Sequence, residues 1–201
     1  MHLDSATAEP FLASAVLRVL LFSEYLLKRG PIMKDDKVLR KELLALLDSH
    51  NAHMSFADVV ADFPMEHINT KPANCPYSFW HFVEHIRITQ WDILEFVVDP
   101  KHKSPRWPAG YRPRPEEKTD EAGWAKSVAA VLSDLEKVKA IVNDPATDFF
   151  GPIAHAPGYT IFRELLLVAD HNSHHVGELV IMRQIENIWP AGRKYLTGRP
   201  D

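Results

Sequence analysis

The chain contains the stretch Asp170-His171-Asn172-Ser173-His174-His175-Val176-Gly177-Glu178, within a segment, residues 160–188, whose apolar residues recur at helical spacing. Residues four positions apart lie one above the other on the same face of a helix. His171 and His175 can therefore point at one cation, and neutral imidazole is the commonest metal ligand among side chains. The stretch predicts two ligands of a metal site on a long helix, with the third supplied by another part of the fold.

Three further segments show the three-to-four spacing of apolar residues that predicts helices. They are residues 35–62, a segment that begins at Pro76 or Ser78 and continues to about Val98, and residues 119–143. We find no convincing segment with the period of a strand. Four helices of this length predict an all-α fold, a four-helix bundle, in which metal sites are built from inward side chains on facing helices. The long connecting loops, residues 99–118 and 144–158, leave room for a crossover connection.

A length of 201 residues suits one domain with a sizeable core. We predict that residues 33–190 form this domain and that residues 191–201 are a polar tail. Residues 1–32 are an N-terminal extension, for which two readings stay open: an extra helix, or an upstream start that is not the natural one.

Composition excludes several classes of protein. A formal net charge of −4 argues against a nucleic-acid binder, which usually carries a basic patch. No uncharged apolar run reaches the roughly 18 residues that a membrane span needs, and no signal peptide is evident. The single cysteine, Cys75, rules out an intramolecular disulfide and fits a reducing compartment. We predict a cytoplasmic protein with neither nucleic acid nor membrane as a partner.

The second segment offers the missing ligand, because it carries His85 with His81 one turn earlier. Catalytic zinc sites use three protein ligands and keep one position open. We favour His85, whose apolar neighbours suggest a central position, and expect His81 at the rim of the pocket. A four-histidine site and a site built on His81 alone stay open at this stage. His174 is expected beside the pocket or exposed.

Ligating histidines need a partner for the second ring nitrogen. Glu178, Asp170 and Asp92 are candidates by helical position, and Glu178 and Asp92 are also candidates for a general base or a fourth ligand. Aromatic residues in the loop 99–118 favour a packed lid over disorder. The residues expected to line the pocket are Trp107, Tyr111, Trp80 and His53. The sequence lacks HExxH, a glycine-rich phosphate loop and G-x-S-x-G.

Residues 33–190 resemble the DinB-like superfamily, metalloenzymes built on a four-helix bundle. The resemblance rests on Leu43-Leu44-Ala45-Leu46-Leu47 with Asn51-Ala52-His53, on Ser78-Phe79-Trp80-His81-Phe82-Val83-Glu84-His85-Ile86-Arg87-Ile88-Thr89-Gln90-Trp91-Asp92, and on Gly158-Tyr159-Thr160 with Asp170-His171-x-x-x-His175-x-Gly177. It implies that His85, His171 and His175 hold a divalent metal and that the protein is a homodimer. His81 departs from the family pattern, and residues before Met33 have no counterpart in it.

Relatives in that superfamily include thiol-dependent transferases and isomerases, and many members have no known activity. We therefore expect a metal-dependent enzyme, a transferase or hydrolase, in which the ion activates water or a low-molecular-weight thiol towards a small-molecule substrate. A histidine-only site suits zinc, nickel, copper or iron, and we favour zinc or nickel. The alternative is a non-catalytic, stress-related bundle that binds metal or dimerises, which a closed site including His81 would favour.

Overall fold

The computed structural model describes residues 36–49 and 52–190. Within these ranges the chain forms four long α-helices, one short α-helix and one small sheet. In chain order they are α1 (Asp36–Leu47), α2 (Phe56–Val60), α3 (Phe79–Val98), α4 (Glu121–Asn143), β1 (Pro152–Ile153), β2 (Ala156–Thr160) and α5 (Ile161–Ile185). Two 3-10 turns, Met65–His67 and Ala109–Tyr111, lie in the loops. The predicted all-α class is confirmed.

The chain divides into two compact units, residues 1–39 and residues 40–201, and only residues 36–39 of the first are described. The predicted N-terminal helix within residues 1–32 and the predicted tail, residues 191–201, lie outside the described residues. The candidate site lies entirely in the second unit. None of the described helices is long and apolar enough to cross a membrane.

The core is formed where α3 packs between α4 and α5, with α2 packed against α5. Its buried apolar side chains come from all of these helices: Phe56, Val59, Phe79, Val83, Ile86, Trp124, Val131, Val176, Leu179 and Met182. Removing such side chains from water contributes about 1.5 to 3 kcal/mol each. Because Ile86 and Val176 belong to this core, the adjacent His85 and His175 also lie on the interior side of α3 and α5.

The first predicted helix, residues 35–62, is not continuous. Helix α1 ends at Leu47, and Ser49 adopts a positive φ of 59°, which takes the chain out of the helix. A new helix, α2, begins after Ser55, whose side chain accepts a hydrogen bond from the backbone N–H of Asp58 while the Asp58 carboxylate accepts one from the Ser55 backbone. This capping box is a start signal that the apolar spacing concealed.

Two short strands lie where we predicted only a loop. The antiparallel pair β1–β2 joins Pro152 to Thr160 and Ile153 to Ala156. Strands of two and five residues are too short to show a convincing period of two in the sequence. The hairpin ends at Thr160, whose side chain caps α5 by accepting a hydrogen bond from the backbone N–H of Arg163.

A buried arginine links the last helix to the segment after α2. Arg183 is fully buried, and its Nη1 donates to the carbonyl oxygens of Val59 at 2.6 Å and Ala61 at 3.1 Å. Its Nη2 donates to the carbonyl oxygen of Ile188 at 3.1 Å. These carbonyls lie at or just beyond the C-terminal ends of α2 and α5, where no N–H of the same helix is available to them.

Replacing Arg183 with Met should therefore destabilise the fold. Buried carbonyls that lose their donor cost about 1 to 3 kcal/mol each, so Arg183→Met should lower the free energy of unfolding by at least about 2 kcal/mol in urea denaturation. The control is Arg106→Met, the same change at an exposed loop position, which should stay within about 0.5 kcal/mol. Equal stability of the two variants would show that the Arg183 contacts contribute nothing.

Candidate metal centre

Three histidine side chains meet between α3 and α5. His85 of α3 faces His171 and His175 of α5, with ring centroids 4.9 Å and 4.6 Å away, and the two α5 rings are 4.4 Å apart. One nitrogen from each ring lies within 4.8 Å of the other two. The structure thus brings together the three residues that the sequence suggested, and the group can hold a metal ion.

Hydrogen bonds decide which nitrogen two of these rings present to the centre. His85 Nδ1 donates to the backbone carbonyl of Tyr111 at 2.7 Å, and His175 Nδ1 donates to Glu178 Oε2 at 2.5 Å. A carbonyl or carboxylate oxygen can only accept, so Nδ1 carries the hydrogen in both rings. The lone pair of each neutral ring is then on Nε2, the atom available for a metal.

Burial keeps the three rings neutral. The pKa of His171 falls to about 3, first because burial disfavours the charged form and then because His175 and His85 repel a second positive charge. The pKa of His175 also falls to about 3, through burial and then through His85. Burial lowers the pKa of His85 as well. Neutral imidazole is the form that binds a metal, so no proton has to be removed first at physiological pH.

The spacing of the nitrogens fits one ion. His171 Nε2 and His85 Nε2 are 3.2 Å apart. Two nitrogens bound to one tetrahedral zinc, each about 2.0 to 2.1 Å from it, would be separated by about 3.3 Å. His171 Nδ1 is buried and has no hydrogen-bond partner among the described residues. The donor set and its spacing therefore match a three-histidine divalent site.

His81 is not part of this group. Its Nδ1 bonds to the backbone and the side chain of Ser78 at the start of α3, and its Nε2 donates to the carbonyl of Arg114 at 2.9 Å. With both nitrogens engaged and only 1% of the residue exposed, His81 offers no lone pair to the centre. The sequence-based alternatives with His81 as a ligand are wrong in this structure; the residue caps α3 and holds a loop.

Asp92 also differs from its expected role. We considered it a partner for a ligating ring, but its Oδ1 accepts from His102 Nε2 at 2.7 Å and its Oδ2 accepts from the Tyr111 hydroxyl at 2.6 Å. Both donors belong to the loop 99–118. Asp92 therefore anchors the loop whose Tyr111 carbonyl orients His85, and it reaches the centre only through that residue.

A cavity of about 310 Å³ opens onto His85. It is lined by His85 and by aromatic, proline, alanine and arginine residues: Tyr77, Trp107, Pro108, Ala109, Tyr111, Arg112, Pro113, Arg114 and Pro115. Trp107 and Tyr111 are among the expected lining residues. The loop 99–118 supplies nearly all of this wall, so the cavity lies beneath it.

Other residues expected near the pocket lie elsewhere. Trp80 points its indole N–H at Ser127 on α4, and His53 bonds to the carbonyl of Met54; neither lines this cavity. Asp170 is exposed on α5. His174 is largely exposed and, with His175 and Glu178, forms a second group that can also hold a metal ion.

The family model of the DinB superfamily matches residues 39–179, which contain both helices of the centre. The chain belongs to the DinB superfamily. DinB-like proteins are metal-binding, in agreement with the histidine group. Comparisons with curated proteins and with solved structures found no significant match.

Two residues at the candidate centre and its cavity escaped the sequence analysis. The Tyr111 backbone carbonyl that holds His85 has no side-chain signature, since every residue has a carbonyl. Arg112, which lines the cavity, stands between Tyr111 and Pro113 in the loop, and no spacing in the sequence sets it apart from the nearby Arg114.

We predict that the Tyr111 hydroxyl stabilises the loop over the centre. Tyr111→Phe leaves Asp92 Oδ2 without its donor and should lower the free energy of unfolding by about 1 to 2 kcal/mol in urea. Tyr77→Phe is the matched control, because the Tyr77 hydroxyl makes no hydrogen bond within the described part of the chain and should change stability by less than about 0.5 kcal/mol. Equal urea midpoints for Tyr111→Phe and Tyr77→Phe would contradict the role of the Tyr111 hydroxyl in holding the loop.

Proposed function

We propose that the protein is a metal-dependent enzyme in which His85, His171 and His175 hold one divalent ion beside the cavity under the loop 99–118. The observation that supports it best is the meeting of three neutral imidazoles, those of His85 and His175 buried and that of His171 half-buried, where His85 also lines a cavity large enough for a small molecule. Catalytic zinc sites have three protein ligands and one open position. His85 lines the cavity, and we assign the open position to that side of the group.

The bound ion would act as a Lewis acid that lowers the pKa of a water or of a low-molecular-weight thiol. The all-histidine donor set suits zinc or nickel. We propose thiol transfer or hydrolysis as the reaction, with a small-molecule substrate in the cavity.

The surrounding residues hold the ligands in place. Tyr111 and Glu178 accept the Nδ1 hydrogens of His85 and His175 and so direct both Nε2 lone pairs at one point. Such partners are worth roughly 10- to 100-fold in metal affinity. The carboxylates of Glu178 and Asp92 already accept hydrogen bonds, and we assign them positioning roles instead of a general-base role.

A closed structural site is less well supported. We expected such a site to need His81 as a fourth ligand, and both nitrogens of His81 are engaged elsewhere. A homodimer is part of the proposal through the family resemblance alone, and a cytoplasmic location through the single cysteine and the composition alone.

The metal site is tested by removing one ligand. His171→Ala should lose stoichiometric metal, with an affinity loss greater than the roughly 10- to 100-fold expected for an outer partner, as measured by elemental analysis of protein purified without a histidine tag. His174→Ala is the matched control, a histidine on the same helix that is largely exposed and absent from the three-ring group; it should keep the metal. Full metal content in His171→Ala would refute the assignment.

Catalysis is tested separately with metal-loaded protein. We expect it to accelerate either the reaction of a low-molecular-weight thiol with an electrophile such as 1-chloro-2,4-dinitrobenzene or the hydrolysis of an activated ester without thiol. Chelator-treated protein and His171→Ala should lack this activity. A loaded protein that binds metal but turns over neither type of substrate would leave a metal-binding bundle without the proposed reactions.

A further inference from the structure

The cavity beneath the loop has an unusual balance of charge. Its charged lining residues are two arginines, Arg112 and Arg114, and no carboxylate lines it. Arg114 is compensated, since its Nε lies 2.9 Å from a carboxylate oxygen of Glu117 and 3.5 Å from one of Glu116. Arg112 has no ion pair or side-chain hydrogen bond within the described residues. One positive charge is therefore left without a counter-ion in the wall of the cavity.

Arg112 is held by an aromatic ring. Its guanidinium carbon lies 4.3 Å from the centroid of the Tyr77 ring, and Tyr77 lines the same cavity. A guanidinium stacked on an aromatic face is attracted to the ring and keeps its N–H donors pointing outward in its own plane. In that plane a carboxylate can accept two parallel hydrogen bonds.

Arg112 is also close to the metal centre. Its positive charge contributes to the lowered pKa values of both His85 and His175. Arg112 and His85 line the same cavity, whose other lining residues are mostly apolar or aromatic, among them Tyr111, Trp107 and Pro113. A ligand bound to Arg112 thus lies in the cavity that His85 also lines.

We propose that the cavity binds a small carboxylate-bearing substrate, that Arg112 receives the carboxylate, and that the reactive end of the substrate lies beside His85. This substrate class rests on the proposed function for the role of the histidines, whereas the carboxylate subsite itself rests on the cavity and Arg112. The carboxylate belongs either to the thiol or to its reaction partner. A volume of about 310 Å³ limits the substrate to a small molecule.

The subsite is tested first in metal-free protein, where a carboxylate has no ion to bind. Benzoate should bind more tightly than benzamide, which has the same shape without the charge, in ligand-observed NMR titrations. Arg112→Gln should weaken benzoate binding by about tenfold or more and leave benzamide unchanged, and Arg112→Lys should show an intermediate loss. Arg106→Gln, an exposed arginine of the same loop that does not line the cavity, should match the wild type.

Metal-loaded protein then identifies the source of the carboxylate. In cobalt-substituted protein, 3-mercaptopropionate should give a thiol-to-cobalt absorption band at lower concentration than 2-mercaptoethanol if the thiol carries the carboxylate. Equal concentrations, with Arg112-dependent benzoate binding retained, would place the carboxylate on the second substrate. Both outcomes support the subsite.

The two proposals fail in different ways. Benzoate binding that is no tighter than benzamide binding, or that is equal in wild type and Arg112→Gln, would overturn the carboxylate subsite. A wild-type protein that binds no stoichiometric metal would instead overturn the proposed metal-dependent function. Arg112→Gln should retain the full metal content, because Arg112 bonds to none of the three histidines.

Discussion

The packing of α3 against α5 is the constraint on which the candidate centre depends. Three rings from two helices have to present nitrogens within a few ångströms of one another, and a small shift between the helices would separate them. Apolar neighbours such as Ile86 and Val176 are buried in the shared core and set this spacing. The energy that positions the histidines therefore comes from hydrophobic packing around them, and the buried rings themselves add a cost in lost hydration.

The loop 99–118 is the second structural requirement. It supplies the carbonyl of Tyr111 that orients His85, most of the cavity wall, and the arginine that we assign to substrate binding. It has little regular structure of its own, so side chains from α3 hold it. Asp92 binds two of its residues, and His81 binds the carbonyl of Arg114. Helix α3 thus contributes one histidine ring to the centre and two side chains that hold the loop 99–118.

Membership of the DinB superfamily accounts for the helical fold and agrees with a histidine group that can hold a metal ion, and it leaves the reaction open. The reaction depends on what the cavity admits. In this chain the cavity wall combines aromatic and proline side chains with one uncompensated guanidinium, to which we assign the selection of anionic over neutral small molecules. On this proposal the choice of substrate is a property of the loop more than of the helices.

The amino-acid pattern was enough to predict the helical class, three of the four long helices within a few residues, and the grouping of His85, His171 and His175. These features follow from local periodicity, in which i and i+4 share a face whatever the rest of the chain does. The break after Leu47 and the β1–β2 hairpin escaped it, because short capping and turn signals are weaker than apolar spacing. The folded chain was needed to show that His81 and Asp92 bind the loop, that a backbone carbonyl orients His85, and that Arg112 lines the cavity. Each of these depends on residues far apart in sequence meeting in space, and side-chain spacing along one helix contains no information about that meeting.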